Sequence, residues 1–470
     1  MTECSENHIN NIITNLLPKT NFEGKFTSPQ NLGDRLAFYQ TPGVSIAVIN
    51  NFEIEWAQGF GFCDSRFNNK VTIDTLFQSA SISKAVFALG IMRLVERDIL
   101  NLDEDVNRYL TTWHVPTNES WQPKVTLRQI LSHTAGLTTD AFPGYLVSEI
   151  LPSLTQILNG RPPAKTEKVE VNILPGLQFC YSGGGTLVAQ LVVVDILNKP
   201  FPQIMSELVF NPLGLVNSTY EQPLPKNWET KSATGHPWRG IPITDRFYVY
   251  PEMAAAGLWT TVIDLAKVGI ELLQILNDCS AGTFLTKDAV VSMLCPQLES
   301  QKVGDGEFAG IGFFCDGEKD SFQFGHAGSN EGFSSVMRFY PSSGQGAVIM
   351  LNSNEGWPLI DEILQAIATE YEWPDAVSND KIIVRLKNLN DYVGNYSSAT
   401  GTEFRVDING KNLTLQYQNQ TPLVIYPLSE VEFFSKAVNT KIYFEKDDKA
   451  KKVSITVSQQ GEQIKADKKT

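Results

Sequence analysis

Strict alternation and long apolar runs divide this chain into three stretches. A polar lead-in is followed by a short helical pattern at residues 32–39. Pro42-Gly43 then opens an apolar run over 44–49, Asn50-Asn51 signals a turn, and 53–59 alternates as a return strand, which predicts a hairpin. From about 81 to 290 the pattern is helix and loop. An apolar run over 85–95 has helical length. Residues 125–131 read as a helix with Thr126 as N-cap and Gly136 at the C-cap. Glycines 183–185 read as a tight loop, after which 186–197 is helical; 261–276 is a further helix with Asp264 in its first turn. Strand patterns return at 322–326, 332–340 and 346–351, and 357–371 is a closing helix. This order predicts an α+β unit: one antiparallel sheet built from both chain ends, flanked by helices, with a helical subdomain inserted at about 85–300.

Beyond a linker at 372–380 the chain changes character. Residues 404–408, 413–417, 423–426, 431–434, 441–444 and 452–457 are short and alternating, with turns such as Asn409-Gly410 between them. Six to eight such strands predict a small all-β barrel, closed or nearly so. The Lys- and Gln-rich end, 461–470, reads as a frayed tail. The expected boundaries are 1–375 for the first domain and 383–470 for the barrel.

Composition narrows the partners. The 470 residues exceed one ordinary core, and a net charge of −14 argues against nucleic acid or an anionic membrane. No run of eighteen apolar residues offers a membrane span. The first ten residues lack a basic n-region and an apolar h-region, so no signal peptide is read and the cytoplasm is the expected location. Six cysteines, at 4, 63, 180, 279, 295 and 315, show no C-x-x-C spacing and read as mostly reduced and buried, with no disulfide requirement. Five histidines form no H-E-x-x-H pair, and there is no Walker A, complete Rossmann or G-x-S-x-G motif, so no metal or cofactor is expected.

The candidate chemistry lies elsewhere. Ser81-Ile82-Ser83-Lys84 opens the 85–95 run, and residues three apart on a helix share a face. A lysine among apolar neighbours can serve as a base for a serine nucleophile. Ser378-Asn379-Asp380-Lys381 matches the same pattern but lies in the polar linker. Tyr181-Ser182-Gly183-Gly184-Gly185 can project a tyrosine for proton relay. His326-Ala327-Gly328-Ser329 places small residues beside a histidine on a strand edge, where free amides can hold an oxyanion. An N-capping serine, a core tyrosine and a satisfied histidine would account for the same residues taken singly.

Taken in order, the three motifs resemble the serine β-lactamase and penicillin-binding-protein superfamily. The nearest branch looks like the one holding class C β-lactamases, D-alanyl-D-alanine carboxypeptidases, D-aminopeptidases and β-lactamase-fold esterases. Stretches 42–48, 125–137, 212–215 and 256–261 look like that family too, over roughly 30–370, and the chain from 389–396 onward is similar to appended lipocalin-like barrels. The resemblance implies a serine hydrolase in which Ser81 is acylated and Lys84 and Tyr181 share the base and acid work, in either order. It implies an oxyanion hole from the amides of Ser81 and Ser329, with Gly183, His326 and Gly328 lining the substrate. Two departures matter. Gly183 replaces the asparagine of a Tyr-x-Asn motif. His326 replaces a common lysine and offers at most a fractional charge at neutral pH. Both favour a small ester, amide or modified peptide over β-lactams. An acyltransferase or peptide cyclase, a penicillin-binding protein or weak β-lactamase, and a non-catalytic binding protein stay open. So do a homo-oligomer and the barrel's role as cover, apolar-ligand site or dimer contact.

Overall fold

The computed structural model describes residues 3–17, 29–279, 284–298, 307–374, 386 and 388–398, and beyond them 401–410, 412–418, 420, 422–435, 440–447, 452–459 and 462–469. Residues 30–279, 284–298 and 307–374, with 3–16, build one compact unit, and those from 386 onward build another.

The first unit is organised around a seven-stranded antiparallel sheet. Its strands are β1 (Gly43–Asn50), β2 (Glu53–Gly61), β3 (Phe308–Ala309), β4 (Phe314–Asp316), β5 (Gln323–Asn330), β6 (Phe333–Tyr340) and β7 (Gln345–Leu351), in the spatial order β2-β1-β7-β6-β5-β4-β3. The β1–β2 hairpin turns on Asn51 and Phe52, both at positive φ, as a two-residue primed turn requires. β1 joins the C-terminal strands by pairing with β7, with Ala47 opposite Val348.

Period-two alternation sorts this sheet's side chains into two cores. Val44, Ile46 and Val48 share one face with Ala347 and Ile349, and the helix Trp357–Glu370 lays Leu359, Ile363 and Ile367 on it. Ala47, Ile49, Met337 and Phe339 line the other face against Leu265, Val268 and Leu272. A strand covered on both faces is apolar at nearly every position, as β1 is. The helices that matter below are α1 (Glu3–Thr14), α2 (Ile82–Glu96), α3 (Leu127–Leu131), α4 (Gly183–Leu197), α5 (Met253–Ala256), α6 (Val262–Leu276) and α7 (Trp357–Glu370).

Several expectations need correction. The polar lead-in contains α1, whose Ile9 and Ile12 reach the core beneath α7. α3 carries a Thr126–Gln129 capping box but ends at Ser132; Gly136, at φ +65°, lies beyond it and is not its C-cap. α4 starts at Gly183, three residues earlier than expected, because the Ser182 hydroxyl caps the Gly185 amide at 2.8 Å. Trp373 is buried beside Tyr340, so the chain is still packed where the linker was expected to begin. Residues 375–381, including the second S-x-x-K match, lie outside the described residues. Only Cys315 is buried; Cys63 and Cys180 are half-buried and Cys4, Cys279 and Cys295 are exposed, and none of the six is in a disulfide.

The second unit is a closed eight-stranded barrel, β8–β15, running from Gly394–Ser398 to Glu462–Lys468. It closes where Tyr396 stands opposite Lys468. The expected frayed tail is therefore the closing strand: Ala466 points inward between polar, outward-facing neighbours. Tyr396, Phe404, Val406, Leu415, Phe433 and Phe444 are among the side chains that fill the interior. Among the described residues, no helix is long and apolar enough to cross a membrane, and no cluster of His, Cys, Asp or Glu could hold a metal ion.

Candidate active site

The site is assembled where the start of α2 meets the edge of β5. Ala80 precedes the helix at φ +50°, a left-handed conformation that a non-glycine residue adopts only when its surroundings enforce it. The enforcing contacts are specific. The Ser79 amide and hydroxyl both donate to the Leu258 carbonyl, at 3.0 and 3.1 Å. The Ser83 hydroxyl donates to the Ala80 carbonyl and accepts from the Leu258 amide at 3.0 Å. From across the sheet, the Ser335 hydroxyl holds the Ser79 carbonyl at 3.0 Å.

This turn presents Ser81 half-buried, with its hydroxyl free of any capping role. Lys84, one helical turn on and only 4% exposed, brings Nζ to 3.0 Å from Ser81 Oγ and 2.7 Å from the Ala255 carbonyl of α5. Among the described residues the Ser81 amide donates to no acceptor, which leaves it available to an oxyanion.

Tyr181 enters from the opposite side. Its ring centre lies 5.0 Å from Lys84 Nζ and 4.2 Å from the His133 imidazole, and it stacks on Phe314 of β4 at 6.4 Å. Phe314 also packs on His326, at 5.1 Å. The structure thus brings Ser81, Lys84, Tyr181 and His326 into one aromatic-walled cleft. Gly183 lies just behind, as the first residue of α4. A Cβ there would meet Phe142 Cε2 at 2.6 Å, so an aromatic ring occupies the space that a side chain at 183 would claim.

His326 is buried, and its Nδ1 donates to the Ala327 carbonyl at 2.6 Å. Burial, with the Lys84 charge adding to it, pushes the imidazole down to about 3. The ring is therefore neutral at pH 7, and the fractional charge expected from its residue type is absent. Gly328 has a steric role. A Cβ there would stand 2.1 Å from the Ser79 carbonyl and 2.9 Å from the Ser81 amide, so only glycine lets β5 lie against the Ser79–Ser81 turn. Ser329 is exposed and accepts from Asn354 Nδ2 at 3.2 Å. β4 pairs with β5 only as far as Gly325, so among the described residues the edge from His326 to Asn330 has no strand on that side.

Four contributors were not singled out beforehand. Ser83 locks the turn, and Asn330 ties β5 to Gln78 at 2.9 Å and to the Ala256 carbonyl at 3.1 Å. Phe314 and His133 supply the walls. The stretch around His133 resembles the family, but nothing in its spacing points to Tyr181.

The family model described as Beta-lactamase matches residues 30–369. Penicillin-binding protein 4* of Bacillus subtilis (strain 168) is 22% identical over 444 residues, covering 91% of this chain and 94% of that protein. Among solved structures, the octameric penicillin-binding protein homologue from Pyrococcus abyssi superposes with a TM-score of 0.62 at 21% identity, covering 93% of this chain and 98% of its own. SurE with D-Leu gives 0.59 at 20% identity, covering 92% and 97%.

Proposed function

The chain belongs to the beta-lactamase family, and on that premise we propose that it is a serine hydrolase that cleaves a small ester, amide or modified peptide through an acyl-enzyme on Ser81. The observation that carries this reading is Lys84 Nζ at 3.0 Å from Ser81 Oγ, with Tyr181 beside it. Ser81 Oγ attacks the carbonyl carbon, and its proton passes to Lys84 or Tyr181. The carbonyl oxygen gathers charge against the Ser81 and Ser329 amides. The bond to the leaving group breaks as that group takes a proton, and water then releases the acid.

The substrate class follows from what surrounds the nucleophile. A neutral His326 offers no ion pair to a carboxylate, and Gly183 offers no amide. Both favour uncharged acyl groups over penicillins. The open edge of β5 suits an extended acyl chain that hydrogen-bonds to backbone groups.

The test is intact mass after incubation with a fluorophosphonate and, separately, with a penicillin. The expected result is a phosphonyl adduct, no penicilloyl adduct, and loss of labelling in Ser81→Ala. Labelling that persists in that variant would sink the assignment. A second reading is acyl transfer to an amine, as in an acyltransferase or peptide cyclase; it draws support from SurE, whose structure holds D-Leu. Turnover with added D-leucine that yields only free acid excludes it. The octameric Pyrococcus abyssi homologue supports a homo-oligomer as part of the proposal, to be read by light scattering.

A further inference from the structure

We propose that His133 is a positioning residue for Tyr181, acting as a brace that holds the two amides on either side of it. This rests on the reading that Tyr181 serves Ser81. The His133 carbonyl accepts from the Cys180 amide at 2.7 Å, and its Nδ1 accepts from the Ser182 amide at 3.1 Å. One residue therefore fixes the backbone immediately before and immediately after Tyr181. The same imidazole lies against the Tyr181 ring at 4.2 Å, so ring orientation and backbone position share one support.

Two further features belong to the brace. His133 sits at φ +57°, the left-handed conformation that turns its carbonyl and its side chain toward the same loop. The residue is only 5% exposed, and a backbone N–H can only donate. Nδ1 must therefore carry a lone pair, and the proton resides on Nε2. Burial, then Lys84 and His326, hold the ring well below its ordinary protonation range, in keeping with that acceptor role.

An asparagine at 133 would keep an acceptor atom near the Nδ1 position and tolerates positive φ, whereas phenylalanine would keep the ring and lose the acceptor. The experiment measures fluorophosphonate labelling of Ser81 in the full chain across inhibitor concentration, separating the limiting rate from the half-saturating concentration and the labelled amplitude. For His133→Phe, the limiting rate is expected to fall at least tenfold, with the other two unchanged. His133→Asn is expected to recover at least a third of the wild-type rate. If His133→Phe melts early, His133→Gly removes the same acceptor and accepts the same backbone angle. Wild-type rates in the variants lacking the acceptor, an equal fall in the asparagine variant, or a loss confined to amplitude would each overturn the brace. If the wild-type chain is not labelled at Ser81 at all, the hydrolase reading fails first and the brace falls with it.

Discussion

Glu252 offers a sharp test of the structure, because its carboxyl group is buried with neither oxygen partnered among the described residues. Burial raises its pKa from 4.5 to about 8. Its backbone carbonyl starts α5, accepting from the Ala255 and Ala256 amides at 3.1 and 2.9 Å, and Ala255 in turn holds Lys84. The folded chain keeps a proton that the unfolded chain releases near pH 4.5. Stability from this group is therefore complete below that pH, is lost as pH rises toward 8, and levels off above it. At 1.36 kcal/mol per pKa unit the loss is on the order of 5 kcal/mol at most. The family-matched unit, residues 30–369, loses about 0.7 kcal/mol per kelvin near its melting point at ~2.1 cal/mol/K per residue. The loss then corresponds to about 7 °C. Glu252→Gln keeps the shape and carries no titrating proton. In scanning calorimetry at pH 5, 6.5 and 8.5, the variant is expected to match the wild type within a degree or two at pH 5. At pH 8.5 it should melt several degrees higher. Parallel curves at all three pH values would refute the reasoning.

The other predictions concern the cleft itself. His326→Lys places a cation where a neutral imidazole now stands, and a penicilloyl adduct is expected by intact mass; an unchanged ratio of penicillin to neutral-ester acylation would refute it. Gly183→Asn alone drives a Cβ into Phe142 and is expected to cost about 1–3 kcal/mol. Adding Phe142→Ala should recover at least about 1 kcal/mol of that in a double-mutant cycle of denaturant midpoints, and simple additivity would refute the contact. Gly328→Ala pushes β5 away from the Ser79–Ser81 turn, and Ser81 labelling should slow by about 100-fold; a wild-type rate would show that the strand need not lie so close.

The sequence made legible what depends on short-range spacing. Ser81 and Lys84 meet because three residues on a helix close one turn, and the sheet follows from the near-continuous apolar runs at 44–49 and 346–351, which suit strands buried on both faces. What stayed hidden depends on contacts between distant backbones. His133 holds Cys180 through its backbone carbonyl and Ser182 through its imidazole Nδ1, and a pairing across nearly fifty residues of chain leaves no sign in local spacing. The closing barrel strand sends only Ile464 and Ala466 toward the barrel core among Lys, Gln, Glu and Asp, so its composition imitates a tail. The Gly183 departure was visible as a missing amide, but the Phe142 ring that fills the space comes from a loop some forty residues earlier.

Three buried ionisable groups of this unit share one property. His326 is neutral at pH 7, His133 is held neutral by burial and by its acceptor role, and Glu252, at the start of the helix whose Ala255 carbonyl holds Lys84, keeps its proton. Phe314 and Tyr181 complete an aromatic wall. A substrate carboxylate entering here would give up hydration for neutral rings, and Lys84 Nζ is already engaged by Ser81 Oγ and the Ala255 carbonyl. On the proposed reading, an oxyanion formed during acylation would differ in one respect: it would form beside the Ser81 amide, which donates to no acceptor among the described residues. The cleft therefore penalises charge carried in by the substrate and favours charge created in the reaction. That difference is the physical basis for expecting neutral acyl donors to react first.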